Sequence, residues 1–147
     1  MSTKLYEKMN MYLANQEISY IKLHNMHWYV KGHNFFTLHA KLEELYHRSA
    51  VIIDEVAERL MALGQSPVAH MKKALSLATI KELTDAPISS DDALHGLKAD
   101  VKQLIDGAKE IADMANEGED GVTADQFYGY LGEHQKLLWM LDSCLAS

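Results

Sequence analysis

The fold is decided by residues 38–63, which read LHAKLEELYHRSAVIIDEVAERLMAL and contain neither glycine nor proline. Apolar side chains recur along this segment at intervals of three and four residues, the spacing of one face of an α-helix. They are Leu38, Leu42, Leu45, Ile52, Val56, Leu60 and Leu63, and Ser49 fills the one remaining position. Because the stretch without glycine or proline begins at His33, we predict one long amphipathic helix over residues 33–63.

A second stretch without glycine or proline precedes this helix, over residues 5–31. Its apolar residues follow the same steps of three and four, through polar Gln16 and Ser19, so it predicts another long amphipathic helix. The intervening residues 31–34, Lys-Gly-His-Asn, suit a tight helix–helix turn with Gly32 at the C-terminal cap of the first helix. The two helices are therefore expected to form a hairpin.

Both prolines fall between residues 64 and 90, in the segment that connects the second long helix to the third. An apolar patch over residues 68–80 lies between the prolines and predicts a short helix. The third long helix follows, with Ser89 or Ser90 as its N-cap and an apolar stripe that reaches Ala115. The connection, of roughly 25 residues, is long enough to cross the bundle.

The fourth helix is predicted to open at Thr123, after an acidic loop over residues 116–121. Gln126 stands three residues after Thr123, the spacing of a capping box, and the helix runs to about Leu145. Four long helices with one crossing connection predict an all-α, ferritin-like four-helix bundle, with a short extra helix in that connection. We assign residues 1–147 to a single domain of this type, because the length suits one domain.

Composition excludes several classes of protein. Of the 147 residues, 48% are apolar and 24% are charged, which is typical of a globular protein. No apolar run approaches the roughly 18 residues of a membrane span, and the N-terminus lacks a secretory pattern. Cys144 is the only cysteine, which fits a reducing, cytoplasmic location. The formal net charge of −7 argues against a protein that binds the nucleic-acid backbone.

The second helix carries potential metal ligands on the face opposite its apolar stripe. At about 100° per residue, four of them lie roughly 120–180° from the centre of the stripe. They are Glu43, His47, Asp54 and Glu58. Polar residues in this position usually form a solvated outer face. Phe36, Val51 and Ala57 share the same sector, however, and such a mixture of apolar groups and ligands also fits contact with a partner. Both interpretations stay open at this point.

Spacing separates these ligands into groups. Asp54 and Glu58 are four residues apart, so they are neighbours on one helix face and can clamp one cation. His39 precedes Asp54 by about 22 Å along a straight helix, whereas metal–ligand bonds are about 2 Å long. One chain therefore cannot place His39 and Asp54 on the same metal. A two-fold dimer with antiparallel second helices can do so, and its symmetry would create two identical sites.

His27 has two possible roles. It lies shortly before Gly32, and His39 lies shortly after it, so the predicted hairpin can bring the two imidazoles together as metal ligands. His27 also lies only about 40° from Leu23 on the helical wheel, which fits a hydrogen-bonded histidine of the core. The sequence alone does not choose between these roles.

A di-iron site in the interior of the bundle is a poorer interpretation. Such sites use two Glu-x-x-His motifs that project inward, together with two further glutamates. The chain has one match, Glu44 with His47, and one weaker analogue, Asp92 with His95. Because the helical wheel puts His47 on the outward side of its helix, we do not expect this motif to face the core.

Five short stretches in the first two predicted helices match a known family. They are HNMHWYVKG at residues 24–32, FF at 35–36, LH at 38–39, ELY at 44–46 and IDEVAER at 53–59. Together with the spacing of the histidines and carboxylates, they resemble the Dps family, the ferritin-like mini-ferritins named for DNA protection in starved cells. The chain is most similar to the Gram-positive, iron-storing branch, which lacks a DNA-binding tail.

The resemblance implies a hollow shell of twelve identical subunits, with ferroxidase centres at its two-fold interfaces. His27 and His39 of one chain would bind iron together with Asp54 and Glu58 of the neighbouring chain. The implied substrate is Fe²⁺, which enters the shell, is oxidised at these centres and is stored inside as Fe³⁺ mineral. The requirement for two chains agrees with the spacing argument above, whereas the number twelve comes only from the family.

The resulting hypothesis is an iron-storage ferroxidase, an oxidoreductase that uses hydrogen peroxide and thereby protects the cell and its DNA from oxidative damage. The resemblance adds a second, weaker iron position at Glu43, with His24 as its partner across the hairpin. It also assigns Asp120 and Asp125 to an acidic pore that attracts Fe²⁺. The alternative within the family is a DNA-binding, nucleoid-compacting protein. The negative charge and the near absence of a basic tail oppose direct DNA binding, and no membrane partner is expected.

Overall fold

The computed structural model describes residues 3–146, which form five helices and two very short strands. The helices are α1 (Thr3–Tyr29), α2 (Phe35–Ala62), α3 (Met71–Leu77), α4 (Ser90–Glu117) and α5 (Gly121–Leu145), and the strands are β1 (Val30–Lys31) and β2 (Ile88–Ser89). The four long helices form the predicted bundle, and α3 is the short helix predicted within the connection. None of the helices in residues 3–146 has an apolar stretch long enough to span a bilayer.

The pairing of the two strands establishes the topology of the bundle. β1 follows α1 directly, β2 precedes α4 directly, and the two strands pair in parallel, Val30 with Ile88 and Lys31 with Ser89. The start of α4 therefore lies at the same end of the bundle as the turn from α1 to α2. Because α2 runs away from this turn for about 42 Å, the chain after α2 must return along the whole bundle. The crossing connection is thus confirmed, although the strands were not predicted.

Two apolar clusters fill the bundle, with a polar layer between them. One cluster surrounds the fully buried Phe127, and the other contains Met26 and Leu42. Gln16 and Ser49, which interrupt the apolar stripes of the sequence, are buried in the layer between the clusters. The Ser49 hydroxyl lies 2.9 Å from Gln16 Oε1, so the two interruptions form a hydrogen bond with each other.

The turn between α1 and α2 depends on Gly32. Its φ is +141°, in the region that favours glycine, and a Cβ at this position would lie 2.7 Å from Ser90 Oγ. The Ser90 hydroxyl itself reaches the carbonyl of Lys31 at 3.1 Å and the side-chain carbonyl of Asn34. The predicted turn is confirmed, but Gly32 is not a helix cap, because α1 ends at Tyr29 and β1 intervenes.

The starts of α4 and α5 test the predicted N-caps. Ser89 caps α4, since its side chain accepts a hydrogen bond from the backbone N–H of Asp92 at 3.1 Å. The prediction of a capping box at Thr123 is wrong. α5 begins earlier, and the carboxylate of Asp120 is its N-cap, accepting from the N–H of Thr123 at 3.1 Å. Aspartate competes well for this position because its charge also suits the positive end of the helix.

We expect Gly32→Ala to lower the free energy of unfolding by about 1–3 kcal/mol, because the new Cβ meets Ser90 and the residue must adopt a strained φ. Gly132 in α5 provides a matched control, since a Cβ there meets no atom within 4 Å. Gly132→Ala should raise stability by about 0.5–1 kcal/mol, as alanine favours a helix interior. Thermal unfolding followed by circular dichroism at one protein concentration measures both, and equal effects of the two substitutions would contradict the assignment.

Candidate metal centre

His27 at the end of α1 and His39 at the start of α2 hold each other in a reciprocal pair of hydrogen bonds. Nδ1 of His27 lies 2.7 Å from the backbone carbonyl oxygen of His39, and Nδ1 of His39 lies 2.8 Å from that of His27. The two rings stack, with centroids 3.7 Å apart and planes 10° apart. We call this arrangement the histidine clasp.

The histidine clasp fixes the chemistry of both rings. A carbonyl oxygen only accepts hydrogen bonds, so each Nδ1 must carry the proton. In the neutral ring, the lone pair then lies on Nε2, the atom left free to bind a metal. Metal-binding histidines are typically held in this way, with the second ring nitrogen donating to a carbonyl or a carboxylate. The clasp therefore places two nitrogens with free lone pairs, the form of imidazole that can bind a metal, at one place.

The burial of His27 bears on the two roles considered for it. Only 5% of His27 is exposed, as expected for a core histidine, and its Nδ1 is satisfied by a hydrogen bond. Its Nε2 faces Glu43, with 3.8 Å between Nε2 and Oε1, and Oε2 of Glu43 lies 4.0 Å from Nε2 of His47. These separations are too long for hydrogen bonds, so Nε2 of His27 keeps its lone pair available. The buried position and the capacity to bind metal are compatible.

His24 is oriented by a similar hydrogen bond to a backbone carbonyl. Its Nδ1 lies 2.8 Å from the backbone carbonyl oxygen of Tyr20, one turn earlier in α1, so its Nε2 also carries the lone pair. Its ring stacks on Tyr46, with centroids 3.7 Å apart. No ion pair or hydrogen bond joins His24 to Glu43 within residues 3–146, so their role as partners at a second position stays a prediction.

Tyr46 was not predicted as part of this region, and it contacts both histidines of α1. Besides stacking on His24, it meets the ring of His27 edge-on at 5.3 Å. The sequence contained a usable signal, because Tyr46 follows His39 by seven residues, which returns a helix to nearly the same face. Tyr46 thus forms one wall beside the histidine clasp.

Asp54 and Glu58 lie on the exposed outer face of α2, as the helical wheel predicted. They are one turn apart, and neither forms an ion pair or hydrogen bond with another described residue. Because α2 is one continuous helix, Asp54 stays about 22 Å and Glu58 about 28 Å from His39 along the helix axis. Within residues 3–146, no three or more histidine, cysteine or acidic side chains come close enough to hold one ion. One chain therefore carries the two predicted halves of a centre without joining them.

Large apolar side chains are exposed on the outer face of α2 and at the end of α1. The exposed fractions are 83% for Phe36, 68% for Trp28 and 47% for Val51. Trp28 also lies beside His24, with ring centroids 5.3 Å apart. A purely solvated face would not keep several large apolar groups in water, so these exposures favour contact with a partner over the solvated alternative.

The Glu-x-x-His motifs do not face the interior of the bundle. His47 has 71% of its side chain exposed, and Asp92 and His95 are exposed on α4. The expectation from the helical wheel is therefore confirmed for His47 and extends to the weaker motif.

The two carboxylates that the resemblance assigned to a pore differ in availability. Asp120 binds the Arg59 guanidinium at 3.1 Å and accepts from the Thr123 hydroxyl at 2.6 Å, in addition to capping α5. Burial acts to raise the pKa of Asp120, but the hydrogen bonds from Thr123 and the charge of Arg59 outweigh it and lower the pKa. Asp120 is thus committed to internal contacts, whereas Asp125 is exposed.

The chain is similar in sequence to known proteins of one family. A family model described as a ferritin-like domain matches residues 6–147. DNA protection during starvation protein 2 of Bacillus anthracis is 38% identical over 145 residues, 99% of either protein.

Two solved structures show the same fold. Dps from Staphylococcus aureus superposes with a TM-score of 0.95 at 34% identity, covering 99% of this chain and 97% of that one. A Dps protein from Vibrio cholerae O1, described as a member of a broad superfamily of ferritin-like diiron-carboxylate proteins, has a TM-score of 0.93 at 36% identity, covering 97% and 89%. The chain belongs to the Dps family of ferritin-like proteins.

Proposed function

We propose that the protein is an iron-storage ferroxidase, which binds Fe²⁺ as its substrate, oxidises it and retains Fe³⁺ within an assembly of identical chains. The observation that carries this proposal is the histidine clasp, because it presents two Nε2 lone pairs from His27 and His39 beside an exposed helix face. Membership of the Dps family and the diiron-carboxylate description of the Vibrio cholerae relative support iron as the metal.

The complete centre requires a second copy of the chain. Two imidazoles lie at one end of α2, and two carboxylates, Asp54 and Glu58, lie about 22 and 28 Å away on its outer face. If two copies pair about a two-fold axis with their α2 helices antiparallel, the clasp of one copy meets the carboxylates of the other. The exposed Phe36, Val51 and Trp28 would be buried by such pairing. We propose twelve copies in the full shell, as the family resemblance implies.

The ligand set suits Fe²⁺ and its oxidation. Two neutral imidazoles and two carboxylates balance the charge of a divalent ion and leave positions open for an oxidant. With hydrogen peroxide, two Fe²⁺ ions each lose one electron, and one peroxide molecule with two protons gives two water molecules. Both electrons pass to one peroxide, so no hydroxyl radical is released. Glu43 and His24 are the residues that we propose for the second iron ion.

Substitution of the carboxylate pair tests the centre. We expect Asp54→Asn with Glu58→Gln to lower the initial rate of Fe²⁺ oxidation by at least about tenfold, since even residues that only support a ligand change metal affinity or activity by 10–100-fold. Asp106 and Glu110 on α4 have the same spacing and are also exposed, so Asp106→Asn with Glu110→Gln is the matched control. Stopped-flow absorbance after mixing anaerobic Fe²⁺-loaded protein with peroxide gives the rates. Equal rates in the two double variants would overturn the assignment.

The alternative role, direct binding of DNA, is opposed by electrostatics. The net charge of −7 per chain repels the phosphate backbone, and an assembly of identical chains multiplies this charge. We propose that any protection of DNA, which the name of the Bacillus anthracis relative indicates for that protein, follows here from removal of Fe²⁺ and peroxide.

A gel-shift experiment tests this point. At low salt and with a chelator present to remove bridging metal ions, we expect the protein to leave duplex DNA unretarded, because repulsion is strongest where salt does not screen it. Retarded DNA under these conditions would contradict the proposal and favour the nucleoid-compacting alternative.

A further inference from the structure

A cavity of about 600 Å³ lies inside the bundle, between α2 and α5. All four long helices contribute to its lining, and none of the proposed metal ligands does. Its walls are mostly apolar, and the apolar side chains are Leu23, Leu45, Ile52, Leu97, Val101, Leu104, Leu137 and Met140. The volume is in the range of about 300–1,000 Å³ that is usual for pockets that bind small molecules.

The rim of the cavity is charged, and most of its charges are already paired. Lys41 contacts Glu44 at 3.1 Å, and Arg48 forms two hydrogen bonds with Glu133, at 2.8 and 2.9 Å. Lys136 is the one charged rim residue without an ion pair among the described residues. A molecule that enters between α2 and α5 therefore passes a nearly neutral rim into an apolar interior.

Five buried polar residues line the interior, and two of them, Gln16 and Ser49, hydrogen-bond with each other. Ser19 is the first of the other three. It is only 5% exposed, and its hydroxyl forms no hydrogen bond with any residue in the described range 3–146. The hydroxyl therefore keeps its donor and acceptor capacity for a molecule that occupies the cavity.

His134 presents a second unused group through a chain of hydrogen bonds. Nε2 of the Gln16 side chain lies 3.1 Å from the Tyr12 hydroxyl oxygen, and this oxygen lies 2.7 Å from Nε2 of His134. The Tyr12 hydroxyl proton has no other acceptor among the described residues than Nε2 of His134, and donation to this atom puts the histidine proton on Nδ1. Burial lowers the pKa of His134 to about 4, so the ring is neutral at physiological pH. Its Nδ1–H lines the cavity without a partner in the described part of the chain.

Asp100 is the third polar group, and it is an acceptor. Its carboxylate is 5% exposed and pairs through Oδ2 with Nζ of Lys22 at 2.8 Å. Burial raises the pKa of Asp100, and the adjacent Lys22 counteracts this effect. A carboxylate can accept about four hydrogen bonds, so the contact with Lys22 leaves acceptor capacity toward the cavity.

We propose that this cavity binds a neutral small molecule with an apolar body and one hydroxyl group, an alcohol or a phenol. The hydroxyl group both donates and accepts, so it can donate to Asp100 and accept from Ser19 or His134. A hydrocarbon would displace water from these polar groups without replacing its hydrogen bonds, and a charged ligand would lose its hydration without a free counter-charge inside. The proposal does not depend on iron, because the cavity and the metal centre share no ligand.

Binding of matched probes tests the chemistry of the ligand. We expect 4-propylphenol or 1-heptanol to bind the intact, iron-free protein at one site per chain in isothermal titration calorimetry. The tighter binder of the two shows whether the apolar part of the ligand is aromatic or aliphatic. Propylbenzene lacks only the hydroxyl group of the phenol and should bind about three- to tenfold more weakly, the effect of one hydrogen bond. Absence of binding by both hydroxyl compounds would overturn the proposal. Equal binding of propylbenzene, or stronger binding of 4-propylbenzoate through Lys136, would overturn it as well.

Substitutions of Ser19 locate the site. Ser19→Ala should weaken the hydroxyl probe by about three- to tenfold and leave propylbenzene unchanged, since it removes one hydrogen bond. Ser19→Leu grows into the cavity and should abolish binding of both probes. Ser143→Ala, at an exposed position of α5 outside the cavity, is the control. Unchanged Fe²⁺ oxidation by all three variants reports that the fold is intact, and unchanged probe binding by Ser19→Leu would contradict this location.

Discussion

The histidine clasp between His27 and His39 is the constraint on which the proposed metal centre depends. Each ring donates to the backbone carbonyl of the other residue, so the two side chains and the two helix ends are fixed together. The sharp turn at Gly32 brings α1 and α2 into the required position, and Ser90 braces that turn from α4. The Nδ1 atoms and carbonyl oxygens of these two residues thus set both the packing of the helix ends and the tautomers of the rings. As a result, both Nε2 atoms carry free lone pairs in the absence of metal.

The length of α2 has the opposite effect, because it keeps the two halves of the proposed centre apart. A straight helix holds Asp54 about 22 Å and Glu58 about 28 Å from His39, and no adjustment of side chains can close these distances. Assembly and activity are therefore linked in the proposed function, since a chain that does not pair cannot complete its site. The large exposed apolar groups on the same face give such pairing a driving force independent of iron.

The sequence predicts the parts of this structure that depend on periodicity. The four long helices, the crossing connection and the outward position of His47 all follow from steps of three and four residues. Periodicity does not predict which residue forms the N-cap of a helix when two suitable residues lie close together. Thr123 and Asp120 both belong to residue types that favour the N-cap position. Asp120 caps α5, and it also binds Arg59, a contact from a distant part of the chain that periodicity cannot show. The cavity could not be predicted from the sequence either, because its polar lining residues Ser19, Asp100 and His134 come from three different helices.

Mixed assemblies test the sharing of the centre between chains most directly. One variant carries His27→Ala and His39→Ala, the other Asp54→Ala and Glu58→Ala, and each alone should be nearly inactive in Fe²⁺ oxidation. When equal amounts of the two assemble at random, about half of the two-fold interfaces are mixed, and each mixed interface has one intact site. The initial rate should then return to about a quarter of that of the unmodified protein. Mixed assemblies, verified by native mass spectrometry, that stay as inactive as either variant alone would contradict a centre shared between two chains.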